Sequence, residues 1–181
     1  MPPGIPPLTR PLVLVGLMGA GKSSVGRRLA RMLAVPFADA DDEIVTAAGM
    51  SIPEIFERYG EPEFRMLERR VIARLLDGSL MVLALGGGAF IDPTTRALVK
   101  NRARSVWLRA DLETLLARTA RKRGTRPLLS QGDPRQILAE LIERRHPVYA
   151  EADHVVDSTE QPPEIVIRRV LDLLHDPAPA R

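Results

Sequence analysis

The segment Gly16-Leu17-Met18-Gly19-Ala20-Gly21-Lys22-Ser23 fits the pattern G-x-x-x-x-G-K-[ST] and lies between an apolar run and a helical pattern. Leu12-Val13-Leu14-Val15 reads as a short buried strand, and Val25, Leu29 and Leu33 mark one face of a helix over Ser24 to Leu33. A strand that ends in a glycine-rich turn and restarts as a helix leaves backbone N–H groups converging on one hollow at the helix's positive end. Such a hollow suits a polyphosphate. In this pattern Lys22 reaches the β- and γ-phosphates and the Ser23 hydroxyl ligates Mg²⁺. The competing reading is a glycine turn that serves only tight strand-to-helix packing.

Four further apolar runs follow, at Pro36 to Asp39, Leu80 to Leu85, Ser105 to Leu108 and His154 to Asp157, each succeeded by a helical pattern. Strands separated by helices call for parallel pairing and a sheet covered on both faces. In such sheets ligands bind beyond the carboxyl ends of the strands. At those ends stand the phosphate loop, the acid cluster Asp39-Ala40-Asp41-Asp42-Glu43, the turn Gly86-Gly87-Gly88, and a basic region with Arg118 and Arg121-Lys122-Arg123-Gly124-Thr125-Arg126. Ser51-Ile52-Pro53-Glu54 is a capping box, and Glu61 to Leu76 places Phe64, Leu67, Val71, Leu75 and Leu76 on one side of a helix. Arg65 lies beside that stripe. Alone, Arg65 and Arg145 read as solvated arginines; as a pair they can form a planar, permanently charged clamp for a carboxylate.

A length of 181 residues suits one domain: residues 11–175, with proline-rich tails over 1–10 and 176–181 expected to be disordered. The absence of cysteine excludes disulfides, thiolate zinc sites and cysteine nucleophiles. His146, His154 and His175 lack metal-ligand spacing and are expected on loops or the surface. No apolar stretch reaches membrane-spanning length and the first residues do not form a secretory signal, so a cytoplasmic protein is the expectation. The pI near 9.8 suggests a polyanion partner, but the formal net charge is only +3. Few aromatics and no recognition helix or stacking platform speak against nucleic acid.

Taken in order, the phosphate loop, Asp39-Ala40-Asp41, Gly60-Glu61-Pro62-Glu63-Phe64-Arg65 with Glu68, Leu85-Gly86-Gly87-Gly88-Ala89, Thr125-Arg126-Pro127-Leu128-Leu129 and Arg144-Arg145-His146-Pro147-Val148-Tyr149 resemble the shikimate kinases. The resemblance runs from about Leu12 to Leu174. It implies a three-layer α/β/α fold like the nucleoside monophosphate kinases, with a five-stranded parallel sheet in order 2-3-1-4-5 and a mobile lid over about residues 120–133. It also implies transfer of the γ-phosphate of ATP to the 3-hydroxyl of shikimate, with Mg²⁺, on the route to chorismate and aromatic amino acids.

By the same resemblance Asp41 binds shikimate hydroxyls and is the candidate base, and Asp39 holds the Mg²⁺ shell through water. Arg65 and Arg145 grip the substrate carboxylate, while Gly86, Gly87 and Gly88 close over substrate and phosphate. Gly19, Ala20, Gly21, Lys22, Ser23 and Ser24 hold the ATP phosphates, Arg126 is the lid arginine, and Arg118 packs on the adenine with Pro163 near the same ring. Lys22, Mg²⁺ and Arg126 together supply positive charge to the transferring group. A monomer is expected. Ala40 stands where a small hydroxyl residue is frequent, Asp42 directly follows Asp41, and the Arg121-Lys122-Arg123 run adds charge to the lid. The competing functions are another small-molecule kinase of this fold, such as gluconate kinase, a nucleotide-dependent nucleic-acid-binding protein, and a homologue that binds nucleotide without turnover.

Overall fold

The structure is a computed structural model and describes residues 7–120, 132–159 and 161–175. The chain runs β1 (Leu12–Val15), α1 (Lys22–Leu33), β2 (Phe37–Asp39), α2 (Ala40–Ala48), α3 (Ile52–Leu76), β3 (Val82–Ala84), a 3₁₀ turn (Ala89–Ile91), α4 (Pro93–Arg102), β4 (Arg104–Arg109), α5 (Leu112–Ala120), α6 (Pro134–Tyr149), β5 (His154–Asp157) and α7 (Pro163–Leu173). The strands form one sheet in the order β2-β3-β1-β4-β5, all pairs parallel, with helices on both sides.

β1 is central because its residues are apolar on both faces. Leu12 pairs with Val82 on one side and Arg104 on the other, and Leu12, Val13 and Leu14 have no exposed surface. A strand buried on both faces reads as a continuous apolar run, which is the pattern seen. α1 buries Val25, Leu29 and Leu33, spaced by four, against the same core. Leu8, ahead of β1, also packs into it.

α3 is interrupted between the two helical signals of the sequence, the capping box at Ser51 and the stripe that starts at Glu61. Gly60 has φ 79° and ψ 174°, which breaks the backbone just before Pro62, so Ile52 to Tyr59 and the stretch after Gly60 are two helical pieces. The Ser51 capping box is present: the Ser51 hydroxyl accepts from the Glu54 N–H, and the Ser51 N–H donates to Glu54 Oε2 at 2.8 Å. The histidines differ from expectation. His146 lies on α6 with its ring 4.8 Å from that of Trp107, and His154 lies on β5, where its Nε2 accepts from Arg104 Nε at 3.0 Å. Both are half-buried, because an imidazole offers an apolar ring with one polar edge and so suits the boundary of a core. His175 is exposed.

Candidate active site

The phosphate loop leaves β1 at Gly16. Gly16, Gly19 and Gly21 take φ values of 142°, 83° and 96°, which side-chain-bearing residues rarely adopt. Lys22 folds back over the loop, donating from Nζ to the carbonyls of Gly16 at 2.7 Å and Leu17 at 3.0 Å. Side chains cap α2, α3, α4 and α6, but none caps α1. The first N–H groups of α1, over Lys22, Ser23 and Ser24, therefore face the hollow with the helix's positive end behind them. Ala20 is buried beneath the loop and Ser24 is exposed.

Beside the loop the Ser23 hydroxyl donates to Asp39 Oδ2 at 2.6 Å. Asp39 is also the N-cap of α2, its Oδ1 accepting from the Asp41 N–H at 3.2 Å. One carboxylate thus joins the end of β2 to the start of α1 and fixes the backbone of Asp41. Among the described residues no group of three or more His, Cys, Asp or Glu could cage a metal ion. A hydroxyl and a carboxylate side by side fit instead a cation that keeps most of its oxygen ligands from water and phosphate, as Mg²⁺ does.

On the other flank Arg118, at the end of α5, ties the loop to the end of β5. Its guanidinium donates to the carbonyls of Gly19 and Ala20, both at 3.4 Å, to Ser158 Oγ at 3.1 Å and to the Thr159 carbonyl at 2.9 Å. Buried Ser158 in turn donates to the Ala20 carbonyl at 2.8 Å. Pro163 opens α7 a few residues further on and is exposed.

The turn after β3 brings the remaining groups together. A Cβ placed on Gly86 would lie 2.5 Å from Asp41 Oδ1, one on Gly87 3.3 Å from an Arg145 guanidinium nitrogen, and one on Gly88 2.7 Å from an Arg65 guanidinium nitrogen. A carboxylate and two guanidinium groups, from α2, α6 and α3, thus reach three consecutive residues that have no side chains of their own. The Gly87 position is also 3.9 Å from the Gly16 carbonyl, so the turn abuts the start of the phosphate loop. Arg126 lies outside the described residues, as does most of the expected lid.

The electrostatics are those of a crowded, partly dehydrated site. Burial raises the Asp41 carboxyl above its ordinary range, with Asp39 and Asp42 pushing the same way and Lys22 and Arg65 pulling down. Arg65 bonds Glu68 at 2.7 Å and Glu61 at 3.3 Å. Burial opposes the Arg65 charge, but these two carboxylates outweigh it and hold the guanidinium firmly protonated. Glu68 is only 1% exposed, and burial lifts its carboxyl despite Arg65 beside it. Glu68, Ser158 and Tyr149 were given no role by the sequence. Glu68 sits three residues from Arg65 on a helix, a spacing that could have signalled the pair; the contacts of Ser158 cross most of the chain and leave no local pattern.

The described residues therefore bring together Lys22, Ser23, Asp39, Asp41, Arg65, Arg145 and the Gly86–Gly88 turn at the carboxyl end of the sheet. Sheet order, anion-receptive helix start and adjoining acid–arginine pocket define a phosphate-loop kinase of small molecules. The sequence pattern of the shikimate kinase family matches residues 18–175. A shikimate kinase of Paramagnetospirillum magneticum is 60% identical over 163 residues, covering 90% of this chain and 83% of its own length. The solved structure of the Acinetobacter baumannii shikimate kinase in complex with shikimate superposes with a TM-score of 0.86 at 38% identity, over 92% of this chain and 93% of that one. A gluconokinase from Sinorhizobium meliloti reaches a TM-score of 0.62 at 19% identity, over 94% and 98% of the two chains, a likeness of fold alone. The chain belongs to the shikimate kinase family of ATP-dependent phosphotransferases.

Proposed function

We propose that the chain transfers the γ-phosphate of ATP to the 3-hydroxyl of shikimate, acting as a monomer on small molecules and not on nucleic acid. The observation that carries this reading is the convergence of Asp41, Arg145 and Arg65 on Gly86, Gly87 and Gly88 beside the phosphate loop. A gluconate-type substrate also carries a carboxylate, but the family match covers most of the chain while the gluconokinase likeness rests on fold alone. Among the described residues no helix is long and apolar enough to cross a membrane.

The loop amides over Gly19, Ala20 and Gly21, with the first turn of α1, hold the phosphates, and Lys22 exchanges its loop carbonyls for phosphate oxygens. Ser23, with Asp39 through water, would hold Mg²⁺, which would supply positive charge against the phosphates. Arg118 and Pro163 border the adenine. Arg65 and Arg145 orient the shikimate carboxylate, which places the ring hydroxyls at Asp41. Asp41 accepts a hydrogen bond from the 3-hydroxyl and takes its proton as the oxygen attacks in line. Charge in the loose transition state spreads over the equatorial oxygens, so Lys22 and Arg126 act by position and charge, without covalent chemistry. The test is ADP release from ATP and Mg²⁺ with and without shikimate, against quinate and gluconate. Strong stimulation by shikimate alone is the expected result; ATP binding without it would overturn the substrate and keep the nucleotide site.

A further inference from the structure

Tyr149 is the last residue of α6, one helical turn beyond Arg145, and it has no exposed surface. Its ring lies 5.9 Å from that of Trp107 and 6.4 Å from that of His146, so the aromatic body is fixed by packing. A tyrosine buried this deeply needs a partner for its hydroxyl. It finds one 62 residues away, donating to the carbonyl of Gly87, and the Arg145 guanidinium lies beside the same hydroxyl.

The bond decides how the glycine turn faces. The carbonyls of Gly86 and Gly88 accept from the N–H groups of Ala89 and Ile91, both at 3.1 Å, so with Tyr149 all three carbonyls of the turn are engaged by the protein. In a trans peptide the N–H points opposite to the carbonyl of the same unit. Holding the Gly87 carbonyl against α6 therefore aims the Gly88 N–H away from α6. Glycine backbone has more freedom to rotate than any other, so without the anchor this peptide unit would sample other orientations.

We propose that Tyr149 is a positioning residue for substrate: its hydroxyl locks the Gly87 peptide and, through the shared contact with Arg145, sets the glycine turn and the carboxylate-binding arginine in register. This rests on the reading of shikimate as substrate. The residue touches no substrate itself. It couples α6 to the turn, so that two substrate-facing parts move as one.

Tyr149→Phe keeps the packed ring and removes only the hydroxyl. The wild-type enzyme is assayed first, and failure of shikimate to stimulate it would overturn the substrate reading independently of Tyr149. Given an active wild type, the variant should bind shikimate about tenfold more weakly, in both KM and the calorimetric Kd, as expected for a buried acceptor left without its donor. Its Kd for ATP should stay within about twofold. A merely structural role would lower Tm and the active fraction but leave the shikimate Kd of the folded molecules in place, since partial unfolding alters the calorimetric stoichiometry and not the affinity. An unchanged shikimate Kd, or an equal loss for shikimate and ATP, would overturn the proposal.

Discussion

The phosphate loop springs from β1, whose residues are at most 1% exposed, and both its flanks belong to the main core. Asp41 and Arg65 sit on α2 and α3, whose inner faces meet over a separate small cluster of Ile44, Ile55, Phe64 and Val71. Of these two helices, Ala40 at the start of α2 and the last turns of α3, through Ile72 and Leu76, join the main core. Local stability follows the density of buried contacts, so the substrate half should open at lower free energy than the nucleotide half. The same site thus combines a rigid anion cradle with a substrate grip that can yield.

The largest effect is expected at the proposed lid arginine, which would act on the transferring group. Arg126→Ala should lower kcat by about 10³–10⁵ with little change in ATP affinity, as for an arginine that serves the transition state. Loss of turnover and ATP affinity in equal measure would remove that role.

Next comes Asp41→Asn, expected to cost about 10²–10⁴ in kcat by removing a general base. It also probes the strain carried by the substrate half. Because the folded Asp41 carboxyl is raised, its stabilising contribution is complete below the ordinary carboxylate pKa and is lost as pH rises through the folded value. At neutral pH the ionised group costs stability, so the asparagine variant should melt higher at pH 7, with the gain vanishing towards pH 4 and below. A lower Tm at pH 7 would contradict the raised carboxyl.

The comparison itself is broken or sharpened by truncating each core. Phe64→Ala should cost about 3–5 kcal/mol and Leu29→Ala about 2–5 kcal/mol. The first should weaken shikimate binding and speed amide exchange across α2 and α3 while ATP binding holds. The second should weaken both ligands together. Identical behaviour of the two variants in calorimetry and hydrogen exchange would mean that the halves form one cooperative unit.

Much of this was legible in the chain before folding. The strand, loop and helix from Leu12 to Leu33 carry local signals of composition, glycine placement and periodicity, and each appears where the sequence puts it. The strand order came from resemblance, since periodicity cannot rank parallel strands. The Gly60 break falls between the capping box at Ser51 and the apolar stripe that begins at Glu61, two signals the sequence gives separately. The contacts of Ser158 with Ala20 and of Tyr149 with Gly87 span 138 and 62 residues, and one hydroxyl among many has no periodic signature. The histidines were misplaced for a related reason: metal-ligand spacing was absent, but nothing in the sequence showed that Trp107 would offer His146 a ring to pack on.

The crowding around Gly86 and Gly88 bears on how the enzyme can respond to an inhibitor. The atoms a new methyl would meet are the ends of the Asp41 and Arg65 side chains, both of which the proposed reaction uses. A compound that binds the peptide backbone of this turn, and not a side chain, touches groups that no substitution short of proline removes. On the proposed roles of Asp41 and Arg65, substitutions at Gly86 and Gly88 would disable the target. Drug resistance at that contact would have to arise from elsewhere in the pocket or from higher enzyme levels.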